Sequence, residues 1–334
     1  MKQQIKISQL KRGEIKKFKL FIYKNHKKNH IFAKKISVLN WYYGDKKKYN
    51  FYIAKIKNKI IGVQGFIPFE KFDRNIKNII FLAYWRVIKS SNIATGLRLF
   101  KKISFKKKFI GVLGIENNLL QYHKWQGFKI GKLNHHFFIN NSKINFKFLK
   151  RKIKKKNFLK KNIDVYNINK KNIAHLVNKK IFFYQYPIKS KKYLLQRYLN
   201  NPFYKYKINL LKKENFELIA IFRIIKRNNY KLIKLIDIIG KQENFKFIGK
   251  YISNILKQYN AEYLDFYSYG INKKYLKSAG FINRYISSIT IPDHFEPFEN
   301  RNIDINFAYK TSKVIKNIRL CKGDGDMDRP SRIK

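Results

Sequence analysis

The chain has 334 residues, 45 % of them hydrophobic and 16 % aromatic, so it can bury two cores and is not an intrinsically disordered protein. A net charge of +57 would draw it to phosphates or anionic membranes, but the lysines are spread over nearly every segment, as on a solvated surface encoded by an AT-rich sequence. The single cysteine, Cys321, excludes a disulfide within the chain.

The first 19 residues are basic but contain no continuous apolar run and no cleavage site, so no signal peptide is predicted. No stretch approaches the roughly 18 apolar residues that are needed to span a bilayer. We therefore expect a cytoplasmic protein without a membrane span.

The first part of the chain predicts three antiparallel strands followed by alternating helices and strands. The strands are expected at 50–56, 60–68 and 79–88, with a tight hairpin turn at Lys57-Asn58-Lys59. Leu97, Leu99, Phe100 and Ile103 then fit one face of a helix that begins near Gly96. Further on, the pattern predicts a strand at 109–115, a helix at 117–126 and a strand at 128–139.

The second part of the chain repeats this order. It predicts strands at 206–211, 218–225 and 232–239, a helix at 244–258, a strand at 263–267, a short helix ending at Ala279 and a strand at 281–291. The pairs Gly114-Ile115 and Gly127-Phe128 return as Gly270-Ile271 and Gly280-Phe281, which favours an internal duplication. The expected division is a first unit at 1–145, a lysine-rich linker at 146–165 and a second unit at 166–334.

The order of elements over residues 30–140 resembles the GNAT superfamily of acyltransferases. The resemblance implies an α/β (α+β) protein of two GNAT-like halves, each a mixed, mostly antiparallel sheet flanked by helices. The third long strand would then lead into a loop and helix that bind the pyrophosphate of acetyl-CoA or another acyl-CoA. The family loop reads Gln/Arg-x-x-Gly-x-Gly/Ala. Here Gly96 matches, whereas Ala94 and Ser91 depart from the pattern. The implied acyl-CoA residues are Val87, Lys89, Ser91, Ala94, Thr95, Gly96 and Arg98.

The resemblance also implies an acid and a base. GNAT enzymes often carry a tyrosine four residues before the glycine of Gly-Phe, where it protonates the leaving thiolate. Here His123 holds that position and Tyr122 precedes it, and either side chain can deliver a proton. Glu116 is the candidate base for an incoming amine, and its alternative role is a carboxylate at a helix start.

A narrower resemblance concerns the strings at 81–87, 122–128, 131–135, 291–298 and 323–330. They are similar to a bacterial group of GNAT-like proteins associated with surface-polysaccharide biosynthesis. This resemblance implies a sugar acceptor, for which the candidate binding residues are Trp85, His135, Arg223, Asp237, Asp265, Asp326 and Arg329. Arg223, Asp237 and Asp265 could instead form a structural Arg–Asp pair, because charges in central strands need partners.

The acidic tail and the paired histidines do not predict a metal site. Asp324, Asp326 and Asp328 alternate as in a calcium loop, but the glycine and glutamate of that loop are missing. The tail is expected to form an acceptor-binding or interdomain ion-pair cluster, or to be disordered. His135 and His136 have no ligand partners at zinc spacing.

Three functions remain open from the sequence. The first is acyl transfer from acyl-CoA to an amino or hydroxyl group of a nucleotide- or lipid-linked sugar. The second is a Fem-type peptidoglycan aminoacyltransferase, which would use an aminoacyl-tRNA. The third is a non-catalytic nucleic-acid or anionic-surface binder, for which the basic residues would gather on one face.

Overall fold

A computed structural model describes residues 4–88, 94–143, 146–149, 157–159, 161–287, 289–292 and 299–331. Its strands are β1 (Lys6–Lys11), β2 (Lys48–Ile56), β3 (Lys59–Pro68), β4 (Ile79–Val87), β5 (Phe109–Leu113), β6 (Lys129–Lys132), β7 (Asn134–Ile139), β8 (Asp164–Ile168), β9 (Lys207–Lys213), β10 (Phe216–Arg227), β11 (Tyr230–Gly240), β12 (Tyr263–Tyr269), β13 (Ile282–Asn283), β14 (Asn306–Thr311) and β15 (Leu320–Cys321).

The α-helices are α1 (Ile15–Asn25), α2 (Ile31–Lys34), α3 (Ile36–Tyr43), α4 (Ala94–Ser104), α5 (Asn117–Trp125), α6 (Ile173–Leu176), α7 (Lys191–Leu194), α8 (Gly249–Gln258) and α9 (Lys273–Ser278). A π-helical turn, Leu195–Leu199, continues α7, and a 3₁₀ segment, Gln242–Phe247, precedes α8. The predicted helix at 244–258 is therefore two consecutive segments.

The first sheet has the strand order β1-β2-β3-β4-β5-β14-β6, and the second has β8-β9-β10-β11-β12-β7-β13. All neighbours are antiparallel except two parallel pairs, β4 with β5 and β11 with β12. The two orders coincide position by position, because β8 to β12 repeat the places of β1 to β5. The repeat that the sequence favours is thus also present in the sheet topology.

The two sheets exchange one strand. β14 comes from the end of the chain but lies between β5 and β6, and β7 comes from the first part but lies between β12 and β13. The sequence pattern at 128–139 predicts one strand, whereas the chain passes through β6 and β7 in different sheets. The division of the chain at 146–165 stays a prediction, and each sheet takes one strand from across it.

The cores of the two sheets join. The largest cluster of buried apolar residues includes Phe51 and Phe81 from the first sheet and Ile219 and Tyr267 from the second. Burial of this shared apolar surface stabilises the two sheets against each other.

Two local predictions have clear outcomes. The hairpin turn is confirmed, since Ile56 pairs with Lys59 and Lys57 adopts a left-handed φ of 51°. The strand predicted at 281–291 is wrong beyond β13, because a 3₁₀ turn, Arg284–Ile286, follows and takes the backbone out of the sheet.

Candidate active site

A cleft opens in the first sheet where β4 and β5 separate. The two strands pair from Ile79 with Phe109 to Leu82 with Val112, and β5 then ends at Leu113. β4 instead continues along β3 to Val87, after a bulge at Tyr84 with a φ of 34°. The bulge turns the upper half of β4 away from β5. Helix α4 begins at Ala94, a few residues after the end of β4, so its N-terminus belongs to the same end of the sheet.

Trp85 occupies the α4 and α5 side of this cleft. Its ring centroid lies 5.2 Å from that of Tyr122 and 6.3 Å from that of His123. A Cβ atom on Gly96 would lie 2.8 Å from the indole, so only glycine lets Trp85 pack against the first turn of α4. Gly96 therefore has a packing role in addition to the phosphate role that the sequence predicts.

Three polar atoms around Trp85 are buried without a hydrogen-bond partner among the described residues. They are Thr95 Oγ1, Trp85 Nε1 and Tyr122 OH. Buried polar atoms in proteins are nearly always hydrogen-bonded, and an unpaired one costs about 1–3 kcal/mol. Three such atoms beside one cleft fit a polar ligand that would supply their partners. The donor and acceptor groups of an acyl-CoA pantetheine arm have this chemistry.

Tyr122 and His123 differ in the proton that each can give. His123 Nδ1 lies 2.9 Å from the Leu119 carbonyl oxygen, to which it donates in the neutral ring. Burial lowers the pKa of His123, and the hydrogen bond to Leu119 only partly opposes this. Burial raises the pKa of Tyr122 to about 12. At neutral pH His123 is therefore uncharged, whereas Tyr122 keeps the proton that an acid must donate.

The other side of the cleft carries an aromatic group that the sequence analysis missed. His26 and His30, which flank the loop between α1 and α2, lie 5.5 and 5.1 Å from Tyr84 by ring centroids. Phe32 adjoins the same rings, at 5.5 Å from Tyr84. A pair of histidines four residues apart at a helix end was the only sequence signal, and no family motif marked it.

Glu116 is exposed at the start of α5 and lies near enough to His26 to influence its ionisation. The pKa of His26 is lowered, first by burial and then by the charges of Arg86 and Lys27, while Glu116 acts in the opposite direction. The candidate base, at the N-terminus of α5, thus lies within electrostatic range of His26.

His30 gives a pH prediction. Its Nδ1 accepts a hydrogen bond from the Phe32 N–H at 3.2 Å and caps α2, and burial lowers its pKa to about 3. Unfolded His30 takes up a proton near pH 6.5 but the folded residue does not, so its contribution to stability is complete above pH 6.5 and falls as the pH drops. Asparagine also caps helices but does not titrate, so between pH 7.5 and 5 the variant His30→Asn should lose about 2 kcal/mol less stability than the wild type does. Urea unfolding of both proteins at the two pH values measures this difference, and equal losses would contradict it.

The C-terminal segment 324–329 forms one wall of the cleft. Arg329 Nε donates to Asp326 Oδ2 at 2.7 Å, and the Arg329 guanidinium stacks 4.6 Å from the Phe32 ring centroid. Asp326 also accepts from Tyr43 OH at 2.6 Å. At the end of β5, a Cβ on Gly114 would lie 2.7 Å from Met327 Sδ. The tail is therefore an ion-pair cluster packed on the first sheet, which is one of the two alternatives for this segment.

Asp328 ties this segment to the second sheet. Arg223 donates to both of its carboxylate oxygens, at 2.8–3.0 Å, and Tyr206 OH donates at 2.7 Å. Burial would raise the pKa of Asp328, but the charge and hydrogen bonds of Arg223, together with the Tyr206 hydrogen bond and the Lys322 charge, outweigh burial and lower that pKa. Arg223 therefore holds the tail in place.

The corresponding cleft of the second sheet is filled by the chain itself. β11 and β12 separate after Leu235 and Phe266, and β15 pairs with β12 there, with Ser268 opposite Cys321. Gly323 N–H closes the other side by donating to the Ile236 carbonyl at 3.0 Å. A Cβ on Gly270, which has a φ of 79°, would lie 1.8 Å from the Ile318 oxygen. Among the described residues, only the cleft of the first sheet is without such a strand.

The remaining charged candidates of the second half are paired internally. Asp265 lies 3.3 Å from His135 Nε2 and 3.4 Å from Lys234 Nζ, and all three are buried. Asp237 pairs with Lys189, which also lies 3.1 Å from Asp324. Asp237 and Asp265 thus have buried charged or polar partners, but these are Lys189, Lys234 and His135 and not the arginine of the Arg–Asp pair that the sequence left as an alternative.

The acyl-CoA candidates lie as follows. Val87 is the last residue of β4 and Arg98 is exposed on the first turns of α4, while Lys89 and Ser91 lie outside the described residues. Within the described part of the chain, no group of three His, Cys, Asp or Glu residues could hold a metal ion. Of the helices that the structure describes, none is both long and apolar enough to cross a bilayer.

Comparison with known proteins identifies proteins that have a similar fold. The sequence matches no protein-family model and no curated protein. The structure is similar to a GCN5-related N-acetyltransferase from Anabaena variabilis, with a TM-score of 0.56 and 9 % identity, covering 93 % of this chain and 73 % of that one. It is also similar to one from Kribbella flavida, with a TM-score of 0.52 and 6 % identity, covering 92 % and 71 %. The predicted fold class, with GNAT-like mixed sheets flanked by helices, is confirmed.

Proposed function

We propose that the protein transfers an acyl group from acetyl-CoA or another acyl-CoA to an amino or hydroxyl group of a nucleotide- or lipid-linked sugar. The observation that carries the proposal is the separation of β4 from β5 at the Tyr84 bulge, beside which Thr95, Trp85 and Tyr122 carry buried polar atoms without a hydrogen-bond partner among the described residues. The fold supports the choice of acyl transfer. The sugar acceptor rests on the sequence resemblance to proteins associated with surface polysaccharides.

The residues of the first cleft would bind different parts of acyl-CoA. The backbone N–H groups at the start of α4 and the Arg98 side chain would hold the pyrophosphate, since a helix N-terminus favours anions. Acyl-CoA supplies the activated thioester. Thr95 and Trp85 would orient the pantetheine arm by hydrogen bonds that they lack within the protein.

Glu116, which precedes α5, and Tyr122, on α5, would make the two proton transfers. Glu116 accepts the proton of the attacking nitrogen or oxygen as its bond to the acyl carbon forms. Tyr122 donates its phenolic proton to the thiolate as the C–S bond breaks. The protons balance, because Glu116 gains one and Tyr122 loses one in each turnover.

Titration calorimetry with acetyl-CoA tests the proposal. We expect one site per chain, because β15 fills the second cleft. The isosteric variant Thr95→Val should weaken acetyl-CoA binding while leaving the melting temperature equal or higher, since it removes an unpaired buried hydroxyl. Thr311→Val, at the far end of β14, is the matched control and should bind as the wild type does.

The opposite results are equally clear. Absence of binding would exclude the acyl-CoA proposal, and two sites per chain would exclude the assignment to the first cleft. Weaker binding that accompanies a lower melting temperature in Thr95→Val would assign Thr95 a structural role only.

A further inference from the structure

Two arginines lie at the acceptor side of the first cleft in a chain whose basic residues are mostly lysines. Arg86 comes from β4, two residues after the Tyr84 bulge, and Arg329 comes from the C-terminal segment. Arg86 contacts the Asn25 carbonyl next to His26, and the Arg329 guanidinium lies 4.6 Å from the Phe32 ring, which adjoins Tyr84 and His30, so both arginines lie near the same group of rings. The sequence gives no sign of this pair, because the two residues are far apart in the chain.

Each guanidinium is anchored and keeps free donors. Arg86 Nε donates to the Asn25 carbonyl at 2.9 Å, and its two terminal nitrogens make no hydrogen bond to a described residue. Arg329 uses Nε for Asp326 and one terminal nitrogen for the Pro330 carbonyl at 3.1 Å. Its other terminal nitrogen makes no hydrogen bond within the described chain. Anchored guanidinium groups with free N–H donors suit a planar or tetrahedral oxyanion.

The described residues leave an excess of positive charge at this place. Arg86, Arg329 and Lys27 surround His26, and the facing carboxylate is Glu116. Asp326 is already engaged by Arg329 and Tyr43. A net positive charge therefore remains beside the cleft, where it would attract an anionic group of a ligand.

Tyr84 provides an independent observation. Its hydroxyl is buried and has no hydrogen-bond partner among the described residues, although its ring touches both histidines. Burial raises the pKa of Tyr84, so the hydroxyl stays protonated and can donate. A ligand atom that accepts from Tyr84 would satisfy the buried group.

We propose that Arg86 and Arg329, with Tyr84 OH, bind an oxyanion group, phosphate or carboxylate, that is carried by the acceptor. The inference rests on the proposed function and deepens it, because it restricts the acceptor to anionic molecules. Arg329 then determines acceptor specificity from the C-terminal segment.

The experiment compares three amino sugars by titration calorimetry, with and without coenzyme A. Glucosamine is neutral apart from its amine, glucosamine 6-phosphate adds a phosphate, and muramic acid adds a carboxylate. We expect at least one anionic sugar to bind about tenfold or more tightly than glucosamine. Arg86→Gln should remove most of this preference, and Arg329→Lys, which keeps the charge but loses the planar fork, should reduce it.

Arg74→Gln is the matched control, because Arg74 is exposed on the loop before β4, at the other end of the sheet. It removes the same charge and should leave the preference unchanged. The melting temperature of each variant separates lost binding from lost structure. Equal binding of all three sugars, or an equal effect of Arg74→Gln and Arg86→Gln, would overturn the proposal. The sugar titrations without coenzyme A can be interpreted even when acetyl-CoA does not bind. The anionic-acceptor proposal and the acyl-CoA proposal can therefore be rejected independently of each other.

Discussion

Replacing Tyr122 with phenylalanine should lower kcat about 100-fold and leave KM for acetyl-CoA nearly unchanged. The phenol of Tyr122 holds its proton at neutral pH, because burial raises its pKa to about 12, and it lies on the Trp85 side of the cleft. Phenylalanine keeps the ring contacts with Trp85 and Phe100, so the cleft keeps its shape. Steady-state kinetics and acetyl-CoA calorimetry on the same variant measure the two effects.

His123→Phe is the paired variant, and it should reduce stability more than turnover because it loses the hydrogen bond to Leu119. The pH profile separates the two residues further. With Tyr122 as the acid, kcat does not fall between pH 7 and 9. With His123 as the acid, kcat falls as the pH rises through a pKa that burial holds below the usual 6.5. Full turnover in Tyr122→Phe would exclude the phenol as the proton donor.

Replacing Lys189 with methionine should destabilise the protein by about 3–5 kcal/mol, which is the usual cost of leaving buried charges without their partner. Lys189 is buried between Asp237 and Asp324, which are also buried. Burial acts to lower the pKa of Lys189, but the two carboxylates outweigh it and raise that pKa. Without the ammonium group, both carboxylates would face each other inside the protein. Urea unfolding measures the loss.

Lys192→Met is the matched control, since Lys192 is exposed on α7, which begins two residues after Lys189, and should change stability by no more than about 0.5 kcal/mol. Lys189 and Asp324 join the start of α7 to the C-terminal segment. The unfolding of Lys189→Met should therefore be accompanied by weaker packing of residues 318–324 in the second cleft, visible as faster amide exchange there. If Lys189→Met lost no more stability than Lys192→Met does, the ion-pair argument would be contradicted.

The local elements of the first sheet were predictable because their apolar patterns have the period of strands and helices. The hairpin at Lys57 and the helix at 117–126 follow from this, within one or two residues. The partner of a strand does not follow from its own period. Nothing in 128–139 indicates that the chain leaves the first sheet at Leu133, so the exchange of β7 and β14 could not be predicted from this pattern.

The site was predictable only where a family motif marks it. The resemblance to family motifs indicated Tyr122, His123 and Gly96, and the structure places all three against Trp85. His26, Tyr84 and Arg86 were missed because they lie in ordinary strand and helix-end positions. The contact between Arg223 and Asp328 joins residues 105 positions apart, so no local pattern reveals it.

The exchange of strands has a consequence for any attempt to study the two parts separately. A polypeptide ending before residue 146 would lack β14, and one starting after residue 165 would lack β7. Each fragment would expose two unpaired backbone edges facing a gap one strand wide, and such edges recruit other chains. Co-expressed fragments could fill each other's gaps and reassemble, whereas a fragment expressed alone should aggregate.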